Sequence, residues 1–193
     1  MNIETVPVTK QSLTGYSTVS IGFEVSSKYA VEQVKDGLGF ILREEKVEPP
    51  YWMDYDVIDE EGPTRWLKRF DTAAWCLLLA HEDGKLVGGA TVAISTPGVF
   101  MLDDREDLAV LWDIRVQPES RHSGIGIQLF NEVTRWAKTK GCRQLKVETQ
   151  NVNVPACRFY AKQGCHLGGI NFHHYTKNPL TADHVMLLWY LEL

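Results

Sequence analysis

The spacing of apolar and polar residues becomes regular near Trp75, and from there most of the chain reads clearly. Trp75–His81 is an apolar run, Glu82-Asp83-Gly84-Lys85 is a turn, and Leu86–Ser95 is a second run, a pattern that predicts a β-hairpin. Ala109–Val116 predicts a further strand that stops before Pro118. Over Ile125–Lys140 the apolar residues Ile125, Leu129, Val133, Trp136 and Ala137 recur on one helical face, and Gly141 ends the helix. Gln144–Thr149 predicts a strand, and Val154–Gln163 a short helix with Pro155 in its first turn. Cys165–Ile170 and Val185–Leu191 read as the last two strands.

Upstream of Trp75 the signal is weaker. Residues 19–25 alternate as a strand does, while Lys28–Lys46 show no clear period and read as helix or loop. Pro49-Pro50 and Gly62-Pro63 bracket what reads as a long acidic loop. That loop carries Asp54, Asp56, Asp59, Glu60 and Glu61 together with the aromatics Tyr51, Trp52 and Tyr55. Residues 1–18 are expected to be a peripheral N-terminal segment. The order of strands, helix, strand, helix and strands predicts a mixed α/β fold, a sheet with helices on its faces.

Composition narrows the function only slightly. A chain of 193 residues suits a single domain spanning residues 1–193. A formal net charge of -5 argues against electrostatic binding to nucleic acid or an anionic membrane. It agrees with a small cationic partner, but many unrelated proteins are as acidic. Met1–Ser12 lack a basic stretch followed by an apolar one, and no apolar run nears the ~20 residues of a membrane span. A cytoplasmic location is therefore expected. Cys76, Cys142, Cys157 and Cys165 form no C-x-x-C pair. Cys157 and Cys165 read as packing residues sooner than as reactive thiols.

The chemistry concentrates in Leu111–Gly126, a strand, a turn and a glycine-punctuated loop that opens a helix. Gly124 and Gly126 allow the backbone to approach a ligand, and a helix N-terminus offers unpaired amides and the positive end of its dipole. A pyrophosphate suits that place, and Arg121 can add charge-assisted contacts. The plain alternative is a tight turn before a helix. No Gly-Lys-Ser/Thr follows, so the loop is not a P-loop, and Leu129 stands where a dinucleotide fingerprint needs its third glycine. Downstream, Glu148 ends a strand, Asn153 precedes a helix and Tyr160 lies within it. Taken singly, Asn153 reads as a helix cap and Tyr160 as a core aromatic.

Arg121-x-x-Gly124-x-Gly126, preceded by Ile114-Arg115-Val116 and a proline, resembles the acetyl-coenzyme A motif of the GNAT superfamily of N-acetyltransferases. Asn153-x-x-Ala156-x-x-x-Tyr160-x-x-x-Gly164 is similar to the next motif of that family, and the likeness covers roughly Trp75 to Leu193. Val147–Asn151, Pro155–Gly164, the acidic stretch near Tyr51–Glu61 and Leu188–Leu191 resemble the streptothricin acetyltransferases within it. The chain departs from the common pattern at His122, where many members carry Gly, and at Cys165, where many carry Phe.

The resemblance implies the GNAT fold, a central mixed and mostly antiparallel sheet flanked by helices. It implies acetyl-coenzyme A as co-substrate, held by Ile114, Arg115, Val116, Arg121, His122, Ser123, Gly124, Ile125, Gly126, Asn153, Ala156 and Tyr160. The strand amides of Ile114 and Val116 would run along the pantetheine arm. Tyr160 would protonate the departing thiolate. Glu148 would accept the proton of the amine, directly or through water, with Asp113 as second choice. Strand alternation is expected to turn Asp113 to the face opposite Ile114. Tyr51, Trp52, Asp54, Tyr55, Asp56 and Asp113 would contact a cationic acceptor such as the β-lysine amine of streptothricin, unless the acidic stretch is only a solvated loop. Other amines, or a non-catalytic acyl-coenzyme A sensor, remain open alternatives. No metal is implied, since the six histidines have no ligand spacing. A homodimer is expected by analogy alone.

Overall fold

The structure is a computed structural model that describes residues 1–58 and 62–193, so Asp59, Glu60 and Glu61 of the acidic run lie outside the described residues. In chain order the elements are β1 (Asn2–Val6), α1 (Lys10–Tyr16), β2 (Phe23–Val34), β3 (Gly39–Met53) and the single turns α2 (Tyr55–Ile58) and α3 (Trp66–Arg69). There follow β4 (Cys76–Glu82), β5 (Lys85–Ala93), β6 (Leu108–Val116), α4 (Ile125–Thr139), β7 (Gln144–Gln150), α5 (Val154–Lys162), β8 (His166–Asn171) and β9 (Met186–Glu192). The fold is mixed α/β with a mostly antiparallel sheet and flanking helices. Among the described residues no helix is long and apolar enough to cross a membrane.

The contacts divide the chain into two compact units. The first comprises Met1–Gly22, Asp54–Val147 and Glu192–Leu193; the second comprises Phe23–Met53 and Glu148–Leu191. In the first unit β1, β4, β5 and β6 pair antiparallel in that order, and β6 pairs parallel with β7. α4 covers one face of this sheet through Ile125, Leu129, Phe130, Val133 and Ala137. Gly88 permits that packing, because a Cβ there would stand 3.3 Å from both Ile125 Cγ2 and Leu129 Cδ1. Trp136, expected on the buried face, is half-buried instead, with Lys140 Nζ 5.5 Å from its ring centroid, and Phe130 fills the core position.

Residues 1–18, expected at the periphery, are built into this unit. β1 pairs with β4 over five residues, and Leu13 and Tyr16 of α1 are fully buried. A capping box between Thr9 and Ser12 starts α1. Opposite Tyr16, Gly89 is required, since a Cβ there would fall 2.7 Å from Tyr16 Cε2.

In the second unit β8 and β9 pair antiparallel, and β2 and β3 form a long hairpin over the stretch expected to be helix or loop. The hairpin escapes a periodicity search because many side chains on both of its faces are at least partly exposed, which removes the apolar alternation. Its turn at Lys35, Asp36 and Gly37 has positive φ throughout, and Asp36-Gly37 is the sequence signal that marks it. The strand expected over residues 19–25 begins only at Phe23, and the expected loop from residue 49 is strand as far as Met53. Pro49 and Pro50 are tolerated because the register shifts between Val25 and Ser27, leaving them opposite no residue of β2.

Candidate active site

Pairing of β6 with β7 runs from Leu108↔Gln144 to Leu111↔Val147 and ends there. β6 continues for five more residues to Val116, still paired with β5 on its other side. The Gln117 amide donates to Val87 O at 2.9 Å, so the amides of residues 113, 115 and 117 face β5. The amides of Ile114 and Val116 therefore point to the open edge, where an extended ligand can pair as a strand does. Arg121 Nε donates to Val116 O at 3.0 Å, and its Nη2 to Gly22 O at 2.8 Å and Ser20 O at 3.2 Å. The guanidinium expected to meet a pyrophosphate thus braces the loop through carbonyls. Burial draws its pKa down, opposed by Glu119.

Past Pro118 the chain turns into α4 through His122 at φ 64° and Gly124 at φ 90°. Gly124 is the N-cap and provides no side-chain cap. The first helical bond runs from the Gln128 amide to Gly124 O, which leaves the amides of Ile125, Gly126 and Ile127 unpaired among the described residues. A Cβ built on Gly124 would meet nothing within 4 Å. An open backbone, uncapped amides and the dipole of a 15-residue helix fit a diphosphate. Ser123 Oγ donates to Ser120 O at 2.6 Å and stabilises the turn.

The opposite face of β6 carries a buried ionic cluster. Asp113 and Arg115 face α1, on the side away from α4, because Arg115 pairs with Gly89 while Val116 pairs with Gly88. Asp113 thus lies opposite Ile114, as alternation implies. Arg115 Nη2 donates to Asp113 Oδ2 at 2.6 Å, its Nη1 to Asp56 Oδ2 at 2.6 Å and to Val19 O at 3.1 Å. Its side chain is 1% exposed and that of Asp113 7%. The Tyr16 hydroxyl donates to Asp113 Oδ1, and the guanidinium lies 4.8 Å from the Tyr16 ring centroid. Burial acts to lower the Arg115 pKa, but Asp113, Tyr16 and Asp56 raise it overall. Burial and Asp113 together hold the Tyr16 phenol well above its ordinary value, so it stays a donor. The carboxylates of Asp56 and Asp113, expected to meet an acceptor, are engaged by Arg115. Asp54 Oδ1 accepts from the Asp56 amide at 3.0 Å and helps to hold that carboxylate in place. Tyr55, in the same turn, is half-buried.

In the second unit Asn153 caps α5, its Oδ1 accepting from the Ala156 amide at 3.1 Å. Tyr160 is 4% exposed and meets the Phe159 ring at 5.2 Å. Glu148, half-buried, accepts a hydrogen bond from the Tyr175 hydroxyl and another from Gln150 Nε2 at 3.2 Å. Tyr175 had no sequence signal, since it lies in a polar stretch without a period. Tyr51 and Trp52 are exposed at the end of β3; burial, followed by Asp183, raises the Tyr51 pKa. All four cysteines are free and buried. Burial pushes Cys76 up to about 12 and Cys157 and Cys165 to about 11, so the reactive-thiol reading fails.

The family model described as "Acetyltransferase (GNAT) family" matches residues 40–165. The chain belongs to the GNAT acetyltransferase family. It is accordingly an N-acetyltransferase that uses acetyl-coenzyme A. Streptothricin acetyltransferase A of Bacillus subtilis (strain 168) is 26% identical over 149 residues, 77% of this chain and 78% of that protein. The crystal structure of nourseothricin acetyltransferase aligns with a TM-score of 0.76 at 23% identity, over 100% of this chain and 99% of the other. A Bacillus anthracis structure in complex with acetyl coenzyme A gives 0.74 at 24% identity, over 100% of both chains. These likenesses establish the GNAT fold.

Proposed function

We propose that this GNAT enzyme transfers acetyl to a primary amine of a small cationic acceptor, the β-lysine amine of streptothricin being the first choice. The observation that carries the acetyl-donor half is the uncapped α4 N-terminus after Gly124, beside the outward amides of Ile114 and Val116. Those groups hold the diphosphate and the pantetheine arm. Acetyl-coenzyme A supplies the activated acetyl thioester. The similarity to streptothricin acetyltransferases supports the choice of acceptor.

A lysine-like amine has a pKa of about 10.4 and must lose a proton to attack. Glu148 takes that proton, and Tyr160 returns one to the leaving sulfur. Tyr51 and Trp52 offer exposed aromatic faces to a cationic acceptor. Asp56 and Asp113 act indirectly, by fixing Arg115 behind β6.

Incubation with acetyl-coenzyme A and a panel of streptothricin, polyamines, aminoglycosides and peptides tests the acceptor, with product mass as the readout. A streptothricin product heavier by one acetyl group is expected. Turnover of another amine alone would remove streptothricin, and no turnover at all would favour a sensor. Tyr160→Phe should lower kcat by about 10²-fold, with acetyl-coenzyme A affinity held within twofold. Unchanged kcat would remove the general-acid role.

A further inference from the structure

Glu148 is not a lone carboxylate. Tyr175, on the connection between β8 and β9, donates its hydroxyl proton to Glu148 Oε1. Gln150 Nε2 donates to the same oxygen at 3.2 Å and to the Tyr175 hydroxyl oxygen at 3.0 Å, which closes a triangle of three side chains. Glu148 and Gln150 share a strand and alternate with the buried Thr149, so the strand pleat itself presents both to Tyr175.

The ring of Tyr175 is held in turn. His174 meets it edge-on at 4.9 Å and 87°, and His184 at 6.3 Å and 78°. His184 is 2% exposed, and its Nδ1 has no hydrogen-bond partner among the described residues. Burial lowers its pKa despite the nearby Asp183, so a neutral imidazole backs the phenol. The connection around Tyr175 is mostly exposed, yet this one side chain turns its polar end toward a carboxylate. Core packing alone does not require that hydroxyl.

We infer that Tyr175 is a positioning residue for the acetyl transfer: its hydroxyl, with Gln150, fixes the carboxylate of Glu148 in one orientation toward the acceptor amine. The inference rests on reading Glu148 as the proton acceptor. A free glutamate side chain samples many rotamers, and selecting one of them costs conformational entropy. A small misplacement of a catalytic group costs orders of magnitude in rate. Pre-set hydrogen bonds remove both penalties before the acceptor arrives.

The test compares Tyr175→Phe, Glu148→Gln and the double variant in the full chain, with acetyl-coenzyme A and the amine that the acceptor panel identifies. Phenylalanine keeps the ring between His174 and His184 and removes only the hydroxyl. Tyr175→Phe should lower kcat by about tenfold and leave KM for acetyl-coenzyme A within twofold. In the Glu148→Gln background the same change should lower kcat no further, because the two residues act as one. Unchanged kcat in Tyr175→Phe, or a full additional loss in the double variant, would overturn the positioning role while leaving Glu148 in place. Unchanged kcat in Glu148→Gln would instead remove the proton acceptor, and the role of Tyr175 with it.

Discussion

At the scale of single residues, side chains that sequence reasoning assigned to ligands hold one another instead. Arg115 was expected at the cofactor and Asp56 and Asp113 at the acceptor, yet the three form one buried cluster with Tyr16. Each residue type suits both jobs, and only burial separates them. A guanidinium 1% exposed has to be paired, whereas one at a phosphate site needs access. Arg115→Ala should cost about 3–5 kcal/mol, because it leaves the Asp113 carboxylate buried without its counter-charge. Urea unfolding measures this, and a loss below about 1 kcal/mol would show that the cluster is weakly coupled. Tyr160, Asn153 and Glu148 are marked by motif spacing, whereas no sequence signal marks the hydrogen bond of Tyr175 to Glu148.

At the scale of elements, the turn into α4 joins strain to the proposed diphosphate site. His122 adopts φ 64°, a left-handed conformation that disfavours a side chain by roughly 1–2 kcal/mol, although histidine tolerates it better than most residues. Glycine at this place would relieve that strain but lose more entropy on folding, by roughly 0.5–1 kcal/mol. His122→Gly should therefore raise stability by about 0.5 kcal/mol and Tm by about 1–2 °C. Acetyl-coenzyme A affinity should stay unchanged, since the contacts proposed there are made by backbone amides. A thermal melt checks the first statement and calorimetry the second; a lowered Tm would mean that the imidazole makes a compensating contact. The elements that sequence periodicity found best, β4 through α5, are those with a continuous buried run, as in β4 and β5, or one buried helical face, as in α4. The β2–β3 hairpin lacked that contrast, and only Asp36-Gly37 hinted at it.

At the scale of the whole molecule, the N-terminal segment changes status from periphery to core. Leu13 and Tyr16 are fully buried and β1 completes an edge of the sheet. Burial of one such side chain is worth roughly 1.5–3 kcal/mol, a sizeable share of a total stability of about 5–15 kcal/mol. Removal of residues 1–18 should therefore abolish cooperative thermal unfolding; an unchanged melting transition would return the segment to the periphery. By itself the sequence determined the strand and helix order from Trp75 onward, the glycine turn into α4, and the two motifs that mark a GNAT enzyme. These are local properties, set by side-chain period, backbone freedom and helix-end chemistry. The tertiary structure alone decided which charges pair behind β6, that β6 runs on past its last pair with β7 and leaves two amides at an open edge, and that Tyr175 reaches Glu148. Each of those depends on residues distant in the chain meeting across a sheet or a connection, and neither periodicity nor spacing carries that information.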